Sequence, residues 1–419
     1  MSTRSLLMAT TLALLPCLSV AADVQEAWRL LPAEARPAPT ELPARSAYAV
    51  ATAPAILAAA PATLRLPFPQ GQREALTLAI EQHADDRYTW RGSLDDAGDY
   101  PAVLSVSGDA VAGFISAPEG IWELVPSTVA GESWLIELDG DRLPPCRGPV
   151  DPGPQAFSSA AAGKPGAAQA LMDSGDQVDV LLMYSPAARD AAGGVSQISA
   201  QAQAAVDSAN TVFANSGMRM RFRVVGIELL EGWVEGTSSA STELGLFRSN
   251  ASQQARRNAL AADMVSLLVA NLPGACGIGY VMRSPGAGFA GSAVQITDRD
   301  CAVGNLSWVH EHGHNMGFEH DPANGTSPTS ASYPWSFGHY VEGQGAQSYR
   351  TVMAYQCPAG GCTRRPHFSS PRVSFNGFPT GVVDQRDNAR SGDLVADIVA
   401  NFRLEQVWQG FANSFEASP

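Results

Sequence analysis

The sequence predicts two architectures in one chain: a β-rich N-terminal region followed by an α/β domain. Three observations carry this. Up to about residue 148, short segments alternate apolar and polar residues between Gly, Asp and Pro clusters, the period-two pattern of half-buried strands. From residue 149 to about 176 the composition turns to Ala, Gly, Ser and Pro, as in a linker. Beyond it, strand-like runs alternate with helical ones. At 419 residues the chain exceeds one average domain and can bury a substantial core.

The chain opens with Arg4, an apolar stretch over residues 6–20, and Ala21-Ala22, which reads as a secretory signal peptide over residues 1–22. Thr10, Thr11 and Pro16 interrupt the run, which is short for a membrane span, and Pro16 before Cys17 argues against a lipid anchor. A secreted location follows, extracellular or periplasmic. Residues 88–92, 102–107 and 134–138 are expected strands of the first region. In the second, residues 177–184, 219–230, 277–282 and 292–297 read as strands, and residues 197–215 and 252–269 as helices. No internal repeat is visible.

Chemistry concentrates between His310 and Asp321. His310, Glu311, His314, Gly317 and His320 form H-E-x-x-H-x-x-G-x-x-H, the extended zinc-protease signature. Residues four apart share a helix face, so His310 and His314 can hold one metal ion, while Glu311 can reach the reacting water without ligating. Gly317 can turn the chain through a left-handed conformation and deliver His320 as third ligand. Three protein ligands on zinc leave a fourth position open, as in a catalytic site. His312, two residues from His310, lies off the ligand face and reads as a neighbour of the site or a solvated residue. His83, His339 and His367 stand alone and read as ordinary histidines.

This string resembles the metzincin clan of zinc endopeptidases. The resemblance implies a twisted mixed sheet with an active-site helix, and a Met-containing turn under the metal. Thr351-Val352-Met353-Ala354-Tyr355 fits that turn, with Met353 as structural floor. Asp321, directly after the third histidine, is similar to the adamalysin/reprolysin branch. The opening run at residues 178–189 is similar to bacterial reprolysin-like enzymes, a group that includes the peptidyl-Asp metalloendopeptidases. Tyr355 departs from adamalysins and looks more like the astacin and serralysin turn. The resemblance covers roughly residues 177–403. It implies a latent precursor: propeptide 23–165, catalytic domain 166–403 and a C-terminal tail 404–419. Protein and peptide substrates are the expected partners, with the propeptide as inhibitor.

Removing Cys17 with the signal leaves five cysteines, an odd number for an oxidising compartment. Four lie in the catalytic region and allow three pairings, of which Cys276–Cys301 and Cys357–Cys362 are favoured. Cys146, just before the linker, is left over. It loosely resembles the cysteine-switch segments of matrix metalloproteases and ADAM propeptides, and a thiolate there can fill the fourth zinc position.

The implied mechanism has Glu311 taking a proton from water and passing it to the leaving amine. Tyr355 would donate a hydrogen bond to the oxyanion, and the strand at 277–282 would receive extended substrate along its edge. Arg364 and Arg365, after the Met turn, are candidates to hold an acidic substrate side chain following the cleaved bond. The alternatives are a zinc-binding adhesin or binding module without catalysis, which the presence of Glu311 opposes, and a non-proteolytic zinc hydrolase. Residues 23–165 carry 19 acidic and 10 basic groups, residues 166–419 carry 22 and 16, and no basic run points to nucleic acid or an anionic membrane.

Overall fold

In the computed structural model, the structure describes residues 25–32, 39–153 and 173–404. The signal peptide, most of the linker, the boundary at 165/166 and all but Leu404 of the tail lie outside the described residues.

The N-terminal region is one ten-stranded sheet. Its strands are β1 (Gln25–Glu26), β2 (Trp28–Leu30), β3 (Ala44–Thr52), β4 (Thr63–Phe68), β5 (Gly71–Ala84), β6 (Arg87–Ser93), β7 (Pro101–Ser107), β8 (Ala110–Ala117), β9 (Gly120–Pro126) and β10 (Glu132–Leu138). A short helix α1 (Pro54–Ala58) follows β3. Strands β4 to β10 pair as an antiparallel meander, and β1 and β2, separated only by Ala27, lie at opposite ends of the strand order. Ala27 bonds to Arg65 and Ala53 on both sides, so the sheet curls until its ends meet. The alternation in sequence divides its two faces. Leu104, Trp90, Trp122, Phe68 and Leu135 fill the inside of the curl. Val103, Ala112, Phe114 and Ile121 face outward.

That outward face is not solvated; it packs on the second region. There, β11 (Gln177–Tyr184), β12 (Arg221–Leu229), β13 (Met264–Val269), β14 (Gly277–Gly279) and β15 (Val294–Asp298) form a mixed sheet in the order β12-β11-β13-β15-β14. All neighbours are parallel except β14, which runs antiparallel along one edge. Helices α2 (Pro186–Ala192), α3 (Val195–Asn215), α4 (Ala240–Ser249), α5 (Ala251–Ala259), α6 (Ser307–Asn315) and α7 (Asn388–Val399) complete it.

Residues 252–269 were expected to form one helix; the structure divides them. Helix α5 stops at Ala259, Ala261 turns the chain at φ +52°, and Met264–Val269 is a strand buried along its whole length. A strand covered on both faces reads as a continuous apolar run, which periodicity cannot tell from a buried helix. Helices α2, α4 and α7 were not anticipated.

Helix α3 lies between the two sheets, touching β7 and β8 on one side and β12 and α6 on the other. Its Ala, Ser and Gln side chains are small enough for both to approach closely, and residues from Ile198 to Phe213 are buried almost without interruption. Asp207 on this helix is 1% exposed, and the first region supplies most of its partners: Thr89 and Ser105 hydroxyls and the Arg91 guanidinium, joined by Gln203. Removing one side of a buried ionic network strands the other. Asp207→Ala should therefore destabilise the full-length protein by about 3 kcal/mol, read as a lower urea midpoint; an unchanged midpoint would show that the contact contributes nothing to docking.

Candidate metal centre

Helix α6 is aimed by its own side chains. Trp308 Nε1 donates to Ser266 Oγ of β13 at 2.9 Å, and Asn315 Nδ2 donates to the carbonyls of Tyr280 and Val294 at 2.8 and 3.3 Å. The helix ends at Asn315, and Gly317 turns at φ +85°, the left-handed geometry its sequence position suggested. A Cβ there would lie 2.6 Å from the Met282 carbonyl oxygen, so the turn tolerates no side chain.

This turn brings His320 back to the helix. His320 Nε2 lies 3.2 Å from His310 Nε2 and 3.1 Å from His314 Nε2. Each ring faces a backbone carbonyl with its other nitrogen: His310 Nδ1 with Val352 at 2.8 Å, His314 Nδ1 with Phe318 at 2.7 Å, His320 Nδ1 with Asn324 at 3.4 Å. A carbonyl only accepts, so Nδ1 carries the proton in each and three Nε2 lone pairs converge on one point. Burial holds His310 and His314 well below the ordinary imidazole range and lowers His320 to about 4, so all three are neutral. Cys146, the one free cysteine among the described residues, places Sγ 3.8 Å from His314 Nε2, completing a four-atom cluster with spacings under 4.8 Å. Tetrahedral zinc with its usual bond lengths separates two nitrogens by about 3.3 Å and a nitrogen from a sulfur by about 3.6 Å. The donor set and its spacing fit that ion.

Below the cluster runs the turn carrying Met353, which is fully buried. Gly313 of α6 makes room for it: a Cβ there would come within 2.6 Å of Met353 Sδ. Asp321 ties this turn to the third histidine, accepting from the Tyr355 amide at 3.0 Å and from the Asn324 amide side chain at 3.0 Å. Tyr355 stacks its ring 4.3 Å from that of His320, and its hydroxyl donates to the Cys146 carbonyl oxygen at 2.8 Å. Glu311 is fully buried, with neither carboxylate oxygen hydrogen-bonded, and burial raises its carboxyl to about 8. It lies against β14, where a Cβ on Gly277 would meet Glu311 Cγ and Oε1 at 2.6 Å. The G-I-G of that strand was a visible signal that sequence reading passed over.

The edge of β14 is occupied. Arg147 and Val150 amides donate to Gly277 and Gly279 carbonyls at 3.1 and 3.0 Å, and the Val281 amide donates to Val150 at 2.9 Å. Residues 147–150 thus run along β14 as an added strand, in parallel with Tyr280 at Val150. Both favoured disulfides are present, Cys276–Cys301 beside this edge and Cys357–Cys362 after the Met turn.

Of the two readings of His312, neighbour of the site or solvated, the structure matches the first: its buried ring packs against Trp308 at 4.3 Å and Phe222 at 5.4 Å. One expectation is corrected. Arg365 is turned away from the cleft, donating to Ser116 Oγ and to the carbonyls of Ala117 and Pro118 in the first sheet at 2.7–3.1 Å. Arg364, in the short strand Thr363–Arg364, alone of the pair lines the cleft, with Nη1 on the Asn305 carbonyl at 2.8 Å. Of the lone histidines, His83 sits beside Thr89 and Asp207, and His339 accepts from Arg386.

Residues 174–369 match the family described as Metallo-peptidase family M12, Reprolysin_5. The chain is similar to proteins named peptidyl-Asp metalloendopeptidase. That of Stenotrophomonas maltophilia is 30% identical over 80% of this chain and 81% of its own length. The Xanthomonas campestris protein is 34% identical over 69% and 66%, and that of Pseudomonas aeruginosa 30% over 55% and 41%.

If the three imidazoles are the donors, His310→Ala, His314→Ala and His320→Ala should each lose bound zinc, while Glu311→Gln keeps it. Atomic absorption on the purified proteins checks this; wild-type zinc in the histidine variants would refute the assignment.

Proposed function

From the premise that the chain belongs to metallo-peptidase family M12 and is a hydrolase of peptide bonds, we propose that it is a secreted zinc endopeptidase made as a latent precursor. The observation that carries this is the convergence of three neutral imidazole lone pairs beside the buried carboxyl group of Glu311, with a cysteine from the N-terminal region on the fourth side. His310, His314 and His320 would hold the ion. Zinc there supplies Lewis acidity to the scissile carbonyl and lowers the pKa of water.

The remaining work falls to the protein. Once ionised, Glu311 would take the proton from water and deliver it to the leaving amine; its one polar neighbour on that side is the Cys146 thiol, which processing would remove. Tyr355 already donates to one peptide carbonyl, that of Cys146, which is the chemistry needed to hold a developing oxyanion. The edge of β14 accepts backbone, as its contacts with residues 147–150 illustrate. The names of the relatives support a preference for Asp beside the cleaved bond.

Latency would follow from the same contacts. Cys146 stands where a water must come, and its neighbours lie across the substrate strand. Residues 1–22 as a signal peptide, and cleavage within the linker, fit that reading. No helix among the described residues is long and apolar enough to cross a membrane.

Hydrolysis of casein by the processed protein, abolished by a chelator, separates this function from a non-catalytic zinc module and from a small-molecule hydrolase. Glu311→Gln should lower kcat by about 10²–10⁴-fold without loss of zinc; an active variant would overturn the role of Glu311. Cys146→Ser precursor should digest casein before the linker is cut. A precursor that stays fully latent would assign the block to residues 147–150 instead of the thiol.

A further inference from the structure

Beside the cluster, the cleft holds a cavity of about 250 Å³ lined by Asn305, Ser307, His310, Arg350, Tyr355 and Arg364, and closed by N-terminal residues including Asp141 and Cys146. Arg350 was not singled out by the sequence. It lies in the two-residue strand Tyr349–Arg350, which pairs in parallel with Thr363–Arg364, and Arg350 and Arg364 are direct partners in that register. Cross-strand partners share a face, so both guanidiniums project to one side.

Like charges opposite one another are normally destabilising, and these two are poorly compensated. Arg350 donates to the Ala354 carbonyl and Arg364 to that of Asn305, each at 2.8 Å, and Nε of each is buried without a partner. Among the described residues neither has a carboxylate within ion-pairing distance. Arg91 and Arg299 are buried with carboxylate partners, Asp207 and Asp300, whereas Arg257 and Arg365 are held by oxygens without an ion pair; what sets Arg350 and Arg364 apart is that they lie side by side and both line the cleft. Burial, and then the charge of Arg364, push Arg350 well below its ordinary range; burial lowers Arg364 to about 10. Asp141 and Asp321 act on Arg350, and Glu311 on Arg364, only from beyond ion-pairing distance, so a pair of guanidiniums beside the cleft is left able to take an arriving anion. The precursor itself brings a carboxylate to this place: Asp141 lines the cavity and accepts from Gln356 Nε2 at 2.8 Å.

We propose that Arg350 and Arg364 together form a carboxylate-binding subsite that takes the acidic side chain following the scissile bond. This rests on the endopeptidase reading and assigns residues to its specificity. Two guanidinium forks on one face can clasp both oxygens of a carboxylate, which a neutral amide of the same shape does not reward.

The test uses the full chain, activated by processing in its expression host, and two peptides differing only in Asp or Asn after the cleaved bond. Wild type should favour Asp in kcat/KM. Arg350→Met and Arg364→Met should each reduce the Asp-to-Asn ratio by about 10- to 100-fold, with Arg364→Lys recovering part of it. An unchanged ratio in variants that retain zinc and a wild-type circular dichroism spectrum would overturn the subsite. Should neither Met variant fold, wild type still decides: a ratio near one overturns the proposal. Failure of wild type to cleave either peptide or casein would instead defeat the endopeptidase reading beneath it.

Discussion

Neutral imidazole nitrogens of His310 and His314, each 3.1–3.2 Å from that of His320, point their lone pairs at one another and repel unless a cation lies between them. Much of the second region serves to hold them there. Trp308 and Asn315 pin helix α6 to the sheet, Gly317 reverses the chain, and three backbone carbonyls fix the tautomers. Asp321 joins the loop of the third histidine to the turn of Met353. Such support is what keeps donor atoms in place before the metal arrives, when nothing else offsets their repulsion.

The same site depends on the N-terminal sheet more than a simple plug would require. Contacts are spread over three places far apart in sequence: Asp207 beneath Thr89 and Ser105, Glu123 accepting from the Gly304 amide at 3.1 Å, and Arg365 capping the end of β8. Gly304 and Arg365 flank helix α6 and the Met turn in sequence, so docking braces the segments that shape the cluster. Glu123 is buried beside Asp300, and its carboxyl is raised to about 8, chiefly by burial. A group like this is tolerated in its neutral form, so its contribution to docking is present at low pH and is lost as pH rises through about 8.

What could be read from the sequence was local. A five-position motif with a helical period needs no knowledge of the fold, and alternating segments such as residues 102–107 disclosed their pairing face directly. Odd cysteine arithmetic singled out Cys146 for the same reason, since counting requires no geometry. Non-local facts were hidden. Nothing in the run at residues 264–269 says that sheet covers it on both sides. Nothing in Arg364-Arg365 says which one faces the cleft until the strand pairing is known. Arg350 gave no signal at all, because its meaning comes from a partner fourteen residues away across a ladder.

The proposed latency and the proposed substrate recognition would be two uses of one set of groups. The β14 edge, the Tyr355 hydroxyl and the cavity with Arg350 and Arg364 each contact or enclose part of the segment from Asp141 to Val150. An inhibitor that satisfies these groups with backbone carbonyls, an added strand and a nearby carboxylate borrows the interactions a substrate would use. On the proposed reading, what would distinguish it from a substrate is Cys146, whose sulfur lies 3.8 Å from His314 Nε2 as a fourth donor, on the side where a scissile carbonyl and water would need to meet. Tight binding without turnover follows when the ground state is fully matched and the reacting position is filled by a group that cannot react.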